Sequence, residues 1–161
     1  LDELYTSFDS KEYQSDLKAF NEKIESFVQW TEENLKSFEE AEKKISECLN
    51  RLIELSSLSS KLMAYPRLIS SVEAKNQMAL KYLDKLQIKY SEITKPYVQF
   101  EKFIGSLNNL DGIINSSEFL KEHSFFLNEV KKNTKYLLSE KEEILISKMK
   151  NTGSKAWTKI Y

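Results

Sequence analysis

The chain has 161 residues, of which 40% are hydrophobic and 30% charged, and this composition predicts one globular domain over residues 1–161. Lysines and arginines total 24 and acidic residues 25, so the net charge of −1 offers no overall field for nucleic acid or an anionic membrane. Only Arg51 and Arg67 are arginines, which disfavours specific nucleic-acid recognition, and the single cysteine, Cys48, excludes an intrachain disulfide.

Helix formers dominate the sequence. Three glycines and two prolines are too few turn residues for a barrel or sandwich of short strands, whereas Glu, Lys and Leu are abundant. No stretch approaches the roughly 20 apolar residues that span a bilayer, and the acidic residues of the first ten positions do not fit a signal peptide. We therefore expect an all-α, cytoplasmic protein without a membrane partner.

The first two helices are predicted from apolar side chains that recur every three or four residues. Asp9 followed by Glu12 has the layout of a capping box, which predicts a helix start at this point. The first apolar stripe comprises Tyr13, Leu17, Phe20, Ile24 and Phe27 and ends at Trp30. The second comprises Phe38, Ala41, Ile45, Cys48, Leu52, Leu55, Leu58, Leu62 and Tyr65. Pro66 is expected to kink or end this helix, with a connection near Ser70 and Ser71.

The third apolar stripe is the most regular. It comprises Ala79, Leu83, Leu86, Tyr90, Ile93, Tyr97, Phe100 and Ile104. Because the stripe keeps its phase across Pro96, it predicts one bent helix rather than two helices. A loop is predicted at Gly105 and at the Asn, Asp and Gly residues of 108–112.

Shorter helices are predicted after this loop, completing a bundle of long antiparallel helices. The fourth helix begins near Ser116 or Ser117, and its inward positions are Phe119, His123, Phe126 and Val130. A second capping box, Ser139 with Glu142, opens a fifth helix that Gly153 closes. The apolar positions of that helix are Ile144, Leu145 and Met149. A final apolar group, Trp157, Ile160 and Tyr161, is the candidate for a contact with a further domain of the same polypeptide.

The sequence contains no recognisable catalytic motif. An HExxH zinc site needs two histidines one helical turn apart, and His123 is the only histidine. The three glycines lie too far apart for a phosphate-binding loop. His123 is interpreted as a partly buried structural residue, and the carboxylate-rich segments 39–42 and 140–143 as solvated helix faces. We therefore expect no catalytic residue, no metal ligand and no cofactor in this chain.

Two aromatic residues are candidates for contact with a peptide. Tyr82 and Phe103 lie beside the third apolar stripe rather than on it, so they are better placed for a groove or channel surface than for the core. Aromatic rings suit such surfaces because they offer large apolar area, to which tyrosine adds a hydroxyl group. The lysines at 131, 132 and 135 alternate with glutamates, so they do not indicate a nucleic-acid partner.

Two segments at the ends of the chain resemble one protein family. The opening segment Leu4-Tyr5-Thr6-Ser7-Phe8-Asp9-Ser10 is similar to the Leu-Tyr-x-Ser-Phe-Asp-Ser segment that introduces the first long helix of oligoendopeptidase F proteins. The closing part contains Leu138-Ser139-Glu140, Thr152-Gly153-Ser154 and Ala156-Trp157, which resemble that family's Leu-Ser-Glu, Thr-Gly-Ser and small-residue-aromatic segments in order and spacing. The resemblance therefore extends over essentially the whole chain.

This resemblance implies the N-terminal, non-catalytic domain of a zinc oligopeptidase related to thimet oligopeptidase. In such enzymes the helical N-terminal domain covers a deep channel and keeps folded proteins away from the catalytic centre. The partners implied are short peptide substrates and a C-terminal catalytic domain, where zinc and the HExxH motif are expected beyond residue 161. This chain alone is accordingly expected to be inactive.

Two other hypotheses remain open from the sequence. The chain could be a free-standing helical interaction module, whose apolar stripes pack on partner helices. Self-association would favour that hypothesis. It could also be an enzyme complete in 161 residues, which would require turnover of a peptide or ester by the purified chain. No turnover is expected, with or without added zinc.

Overall fold

The computed structural model describes residues 4–134 and, beyond them, residues 142, 145, 146 and 149. Every regular element with assigned bounds in this part of the chain is helical, which confirms the predicted all-α class. Long helices are followed by shorter ones, as the sequence predicts. The helices are α1 (Lys11–Asn34), α2 (Ala41–Val72), α3 (Gln77–Ser91), α4 (Thr94–Ser106), α5 (Leu110–Asn115), α6 (Glu118–Glu122) and α7 (Ser124–Asn133).

The chain separates into two compact units. The first consists of the chain up to Phe27 together with Asn50–Glu92, and the second of Val28–Leu49 together with the chain from Ile93 onward. Helices α1 and α2 therefore each contribute residues to both units, while α3 belongs to the first and α4 to α7 belong to the second.

In the first unit, ion pairs show that α1 and α2 run antiparallel. Asp16 pairs with Lys61 at 2.6 Å, and further along α1 Lys23 pairs at the same distance with Glu54, which comes earlier in α2. The apolar face of α1 is mostly buried, with Leu17 partly exposed. The buried residues of this face in the first unit are Tyr13, Phe20, Ile24 and Phe27.

Helix α3 runs in the same direction as α1. Gln14 Nε2 donates to the Tyr82 hydroxyl at 3.5 Å, and later in both helices Lys89 pairs with Glu25 at 3.0 Å. The first unit is thus a three-helix bundle in which α2 is antiparallel to both neighbours. Ala79 and Leu86 carry the predicted stripe of α3 into its core.

Helix α1 is capped one residue later than its sequence motif predicts. Ser10 Oγ accepts a hydrogen bond from the Tyr13 backbone N–H at 3.3 Å, and the Ser10 carbonyl accepts from Gln14 N–H. Ser10 therefore fills the capping position that the Asp9 motif had indicated. At the other end, α1 continues past Trp30 to Asn34, with Thr31 buried.

Helix α2 confirms the long second stripe but corrects its ends. Pro66 is buried inside the helix, which continues to Val72, so this proline does not end it. The connection follows at residues 73–76, slightly later than expected. Phe38 lies before the helix and is 54% exposed, so the predicted core role of this residue is wrong.

The prediction of one bent helix across Pro96 is also wrong. Helix α3 ends at Ser91 and α4 begins at Thr94, which places Pro96 in the first turn of a new helix. A proline lacks the N–H donor and crowds the carbonyl four residues earlier, whereas first-turn N–H groups have no intrahelical partner to lose. The apolar stripe nevertheless keeps its phase, because Phe100 and Ile104 are buried within the second unit.

Three residues of the predicted loop, Gly105, Asp111 and Gly112, are helical. Gly105 lies in the last turn of α4, where an added Cβ would stand 2.6–2.8 Å from the side chain of Thr134 at the end of α7. Its role is therefore close helix packing rather than a turn. Gly112 lies in α5, whose N-terminus is capped by the Asn109 side chain through a 3.2 Å hydrogen bond from the Gly112 N–H.

The predicted fourth helix is two short helices that meet at His123. Ser117 precedes α6 as its N-cap residue, consistent with the predicted start. The buried residues are Leu120, Leu127 and Val130. The burial of Val130 confirms the prediction for this residue, whereas Phe119, His123 and Phe126 are only partly buried. Leu120 and Leu127, each one residue after a predicted phenylalanine, are buried instead.

The end of the chain is described only in part. Residues 142, 145, 146 and 149 are helical, in agreement with a fifth helix, and Leu145 and Met149 are exposed. The proposed cap at Ser139, the apolar residue Ile144 and the closing Gly153 lie outside the described residues.

An aromatic cluster joins the opening segment to all three helices of the first unit. It consists of Tyr5, Phe8, Tyr13, Tyr65 and Tyr82, with Phe8 stacked on Tyr82 at 4.4 Å and Tyr5 edge-on to Tyr13 at 4.9 Å. Offset and edge-to-face pairs of this kind add about 0.5–1.5 kcal/mol each beyond the apolar area that they bury. The cluster therefore fixes the opening segment onto the bundle.

A polar anchor closes the edge of this cluster. The Tyr5 hydroxyl donates to Asp16 Oδ2 at 2.6 Å, and Lys61 Nζ donates to the same oxygen at 2.6 Å. The hydrogen bond from Lys61, followed by that from Tyr5, holds the pKa of Asp16 below its usual range. Burial, reinforced by the hydrogen bond to Asp16, raises the pKa of Tyr5.

Replacing Asp16 by asparagine is expected to lower the free energy of unfolding by about 1 kcal/mol at neutral pH, because a charge-assisted hydrogen bond is lost. Since the folded-state pKa of Asp16 is lowered, its contribution is present above the unfolded-state value of about 4 and is lost as the pH falls through the folded-state value. Urea unfolding from pH 7 to pH 3 should therefore show the two proteins converging in acid. Glu22→Gln, which breaks an exposed pair with Lys18, is the control and should change little at any pH.

Candidate functional site

A groove that could serve as a binding site lies in the second unit. It has a volume of about 440 Å³ and is formed by the end of α1, the segment that follows it, and one face of α4. Its lining residues are Thr31, Glu32, Leu35, Lys36, Phe38, Lys95, Gln99, Lys102, Phe103 and Ser106. We call this site the α1–α4 groove.

The floor of the α1–α4 groove is aromatic. Phe103 is 3% exposed, whereas Phe38 is 54% exposed, and their ring centroids are 5.3 Å apart with the planes tilted by 31°. Phe103 therefore packs as a core residue that also supports the exposed ring. A large exposed aromatic side chain beside a concave surface is a common feature of binding sites.

The segment that presents Phe38 is held in place by its neighbours. Lys44 Nζ donates to both the backbone carbonyl and the hydroxyl of Ser37 at 2.9 Å. Glu40, which pairs with Lys43, has a φ of 51°, in the left-handed region that residues other than glycine rarely adopt. Backbone strain of this kind typically costs about 1–3 kcal/mol and is concentrated at functional sites.

The charges of the α1–α4 groove are unequal. Lys95 Nζ binds Glu32 Oε1 at 2.6 Å, and this hydrogen bond lowers the pKa of Glu32. Lys36 and Lys102 also line the groove, and in the described part of the chain neither ammonium group has a carboxylate within 4 Å. The groove therefore carries an excess of positive charge next to an apolar floor.

The polar wall of the groove contains an unsatisfied acceptor. Gln99 Oε1 is buried and has no hydrogen-bond partner within the described residues. A buried acceptor without a donor costs about 1–3 kcal/mol, so Gln99 is an unsatisfied polar residue in the lining of the groove.

The two predicted peptide-contact residues belong to different units. Phe103 lies in the α1–α4 groove, with its ring supporting Phe38. Tyr82 belongs to the aromatic cluster of the first unit, where it stacks on Phe8 and its hydroxyl accepts from Gln14. Their role in a substrate channel remains a prediction. The candidates for an interdomain contact, Trp157, Ile160 and Tyr161, lie outside the described residues.

Sequence reasoning missed the exposed residue at the centre of the groove. Phe38 is in phase with the buried stripe of α2, and helical periodicity alone therefore assigned it to the core. A signal was available in the pair Glu39 and Glu40, which interrupts the approach to α2 and places the helix start after Phe38. Lys36 and Lys102 gave no signal because they are far apart in sequence.

His123 forms structural contacts. Its Nδ1 lies 2.9 Å from the Phe119 carbonyl, and its ring is 4.6 Å from the Phe119 ring. The residue lies at the junction of α6 and α7. These contacts agree with the interpretation of His123 as a partly buried structural residue.

The described residues contain no group of three or more His, Cys, Asp or Glu side chains that could hold a metal ion. None of the helices in this part of the chain is long and apolar enough to cross a membrane.

Comparison with known families found a match to part of the chain. Residues 106–161 match the family model for the N-terminal domain of M3 peptidases, described as Oligopeptidase F. The match begins at the end of α4, continues through α5 to α7 and includes the closing sequence segments that resemble this family. It supports an oligoendopeptidase F-like N-terminal domain and confirms that resemblance. A metallopeptidase parent is indicated by the same match.

The match covers about a third of the chain, so the opening segment from Leu4 to Ser10 lies outside it. No curated protein and no solved structure matched the chain.

Proposed function

We propose that this chain is the N-terminal domain of a zinc-dependent oligoendopeptidase that hydrolyses short peptides in the cytoplasm. The observation that carries the proposal is the match of residues 106–161 to the N-terminal domain of oligopeptidase F. The sequence has a single histidine and no HExxH motif, so the proposal assigns zinc and the reacting groups to a catalytic domain elsewhere in the polypeptide.

The proposed contribution of this chain is steric. A scaffold of packed helices can cover a deep channel and admit an extended peptide while excluding a folded protein. The fold supports this role because its apolar helix faces are buried and its described surface carries a groove with an aromatic floor. The partners proposed are short peptides and the catalytic domain of the same polypeptide.

The first test is the gene sequence beyond the codon for Tyr161. We expect an HExxH motif followed further on by a glutamate, because two histidines and a carboxylate are a common ligand set for catalytic zinc. The purified full-length protein should then cleave short peptides, lose activity with a chelator and regain it with zinc. A stop codon directly after Tyr161 would overturn the assignment and favour the helical interaction module.

The steric role has its own test in the full-length protein. Replacing the motif glutamate by glutamine gives an enzyme that binds peptide without cleaving it. Amide hydrogen exchange in residues 4–134 should slow when a short peptide is added and should not respond to a folded protein of similar charge. Unchanged exchange with the peptide would contradict a covering role for this domain.

A further inference from the structure

The combination of charges and rings in the α1–α4 groove points to one kind of ligand. Its apolar floor is exposed at Phe38. Among the described residues, neither Lys36 nor Lys102 has a carboxylate within 4 Å, and the charge of Lys36 also helps to lower the pKa of Glu32. A complementary ligand must therefore bring an apolar group and an anion close together. The lining residues include lysines and no arginine, so the anion of the ligand would meet compact point charges rather than a planar guanidinium group.

The C-terminal residue of a peptide has this combination. Its carboxylate and its side chain are attached to the same carbon atom, so an apolar C-terminal residue presents both groups within a few bonds. An N-terminal residue would instead place an ammonium group next to the excess lysines. Charge complementarity thus favours one end of the peptide over the other.

We propose that the α1–α4 groove binds the C-terminal residue of a peptide with a bulky apolar side chain. The side chain packs on Phe38, and the carboxylate is held by the ammonium groups of Lys36 and Lys102. This inference rests on the proposed function, because it names the peptide feature that the domain recognises. The hydrogen bonds from Lys44 fix Ser37, the residue before Phe38, and the Phe38 ring contacts Phe103, so the ligand would meet a partly ordered surface.

The test uses two probes that differ only in the end group. Acetyl-Gly-Phe with a free carboxylate and acetyl-Gly-Phe-amide are titrated into the 161-residue chain at low salt, and binding is followed by calorimetry and by NMR shifts. We expect the acid to bind at least about tenfold more tightly than the amide, with the difference falling at high salt because exposed charges are screened.

Variants locate the binding site. The double change Lys36→Gln and Lys102→Gln should remove the preference for the acid, while Phe38→Ala should weaken both probes. Phe38 and Lys36 are exposed, so these variants should keep the helical fold, which circular dichroism checks. Lys81→Gln, on the exposed surface of α3 in the first unit, is the matched control and should bind like the original chain.

Three results would overturn the proposal. These are equal binding of the acid and the amide, no binding of either probe, and an acid preference that survives the double lysine change. A concentration-dependent dimer that is lost in Phe38→Ala would also contradict the proposal, because it would show that the groove binds a second copy of the chain rather than a peptide. If neither probe binds as expected but the gene encodes an HExxH motif, the proposed ligand of the groove is wrong and the proposed peptidase function is unaffected.

Discussion

Replacing Tyr13 by alanine is expected to lower the free energy of unfolding by about 3–5 kcal/mol, which is the usual cost of truncating a large buried aromatic residue. Tyr13 is fully buried in the aromatic cluster and has edge-on contacts with Tyr5, Phe8 and Tyr82. The change leaves a cavity where the opening segment meets the three helices of the first unit. Urea unfolding followed by circular dichroism measures the loss.

A conservative variant separates the ring from its hydroxyl. The Tyr13 hydroxyl is buried without a hydrogen-bond partner among the described residues, and burial raises its pKa. Tyr13→Phe should therefore leave stability unchanged or raise it by up to about 1 kcal/mol, because an unsatisfied polar group is removed. A loss as large as that of the alanine variant would show that the hydroxyl has a stabilising partner and would contradict this account of the cluster.

Replacing Gly105 by alanine is expected to lower the free energy of unfolding by about 1–3 kcal/mol through overpacking. In an ordinary helix the same change would stabilise by about 1 kcal/mol, because alanine is the better helix former. The sign reverses here because the new methyl group would lie 2.6–2.8 Å from the Thr134 side chain. Thermal and urea unfolding both report this effect.

A second-site change tests the cause. Thr134→Gly removes the atoms that the new methyl group would meet, so the double variant should be more stable than the sum of the two single effects predicts. Ser106→Ala, at the exposed neighbouring position of α4, should change stability by less than about 0.5 kcal/mol. Additive effects in the double variant would rule out the contact between Gly105 and Thr134 as the reason.

The sequence predicted helical class and inward faces better than helix ends. Apolar spacing found the buried positions of α1 and α3 because a three-to-four repeat places side chains on one face of a helix. It failed at Pro96, because the apolar residues keep the same helical spacing on both sides of the break between α3 and α4. It failed again at Gly105, which was predicted to lie in a loop. A glycine is needed there because the side chain of Thr134, distant in sequence, packs against this position in the folded chain.

The groove was less predictable than the fold. Phe103 does line the groove, but the prediction that it lies at a surface rather than in the core is wrong, because it is 3% exposed. Periodicity alone does not distinguish an exposed Phe38 from a buried one. In the sequence, Lys36 and Lys102 look like ordinary surface lysines. They become candidate ligand-binding residues only because the fold places both of them along the groove. A site built from separate helices depends on how those helices pack, and the spacing of residues within one helix does not predict that packing.

The division of α1 and α2 between two units bears on how the chain is made. During synthesis, every residue of the first unit is available once Glu92 has left the ribosome, whereas Val28–Leu49 must await residues from Ile93 onward to complete their own unit. Domains usually fold as units in the order in which they emerge. Translation therefore favours an intermediate whose earliest helices are each only half packed, and this interval is when the chain is most open to a chaperone or a protease.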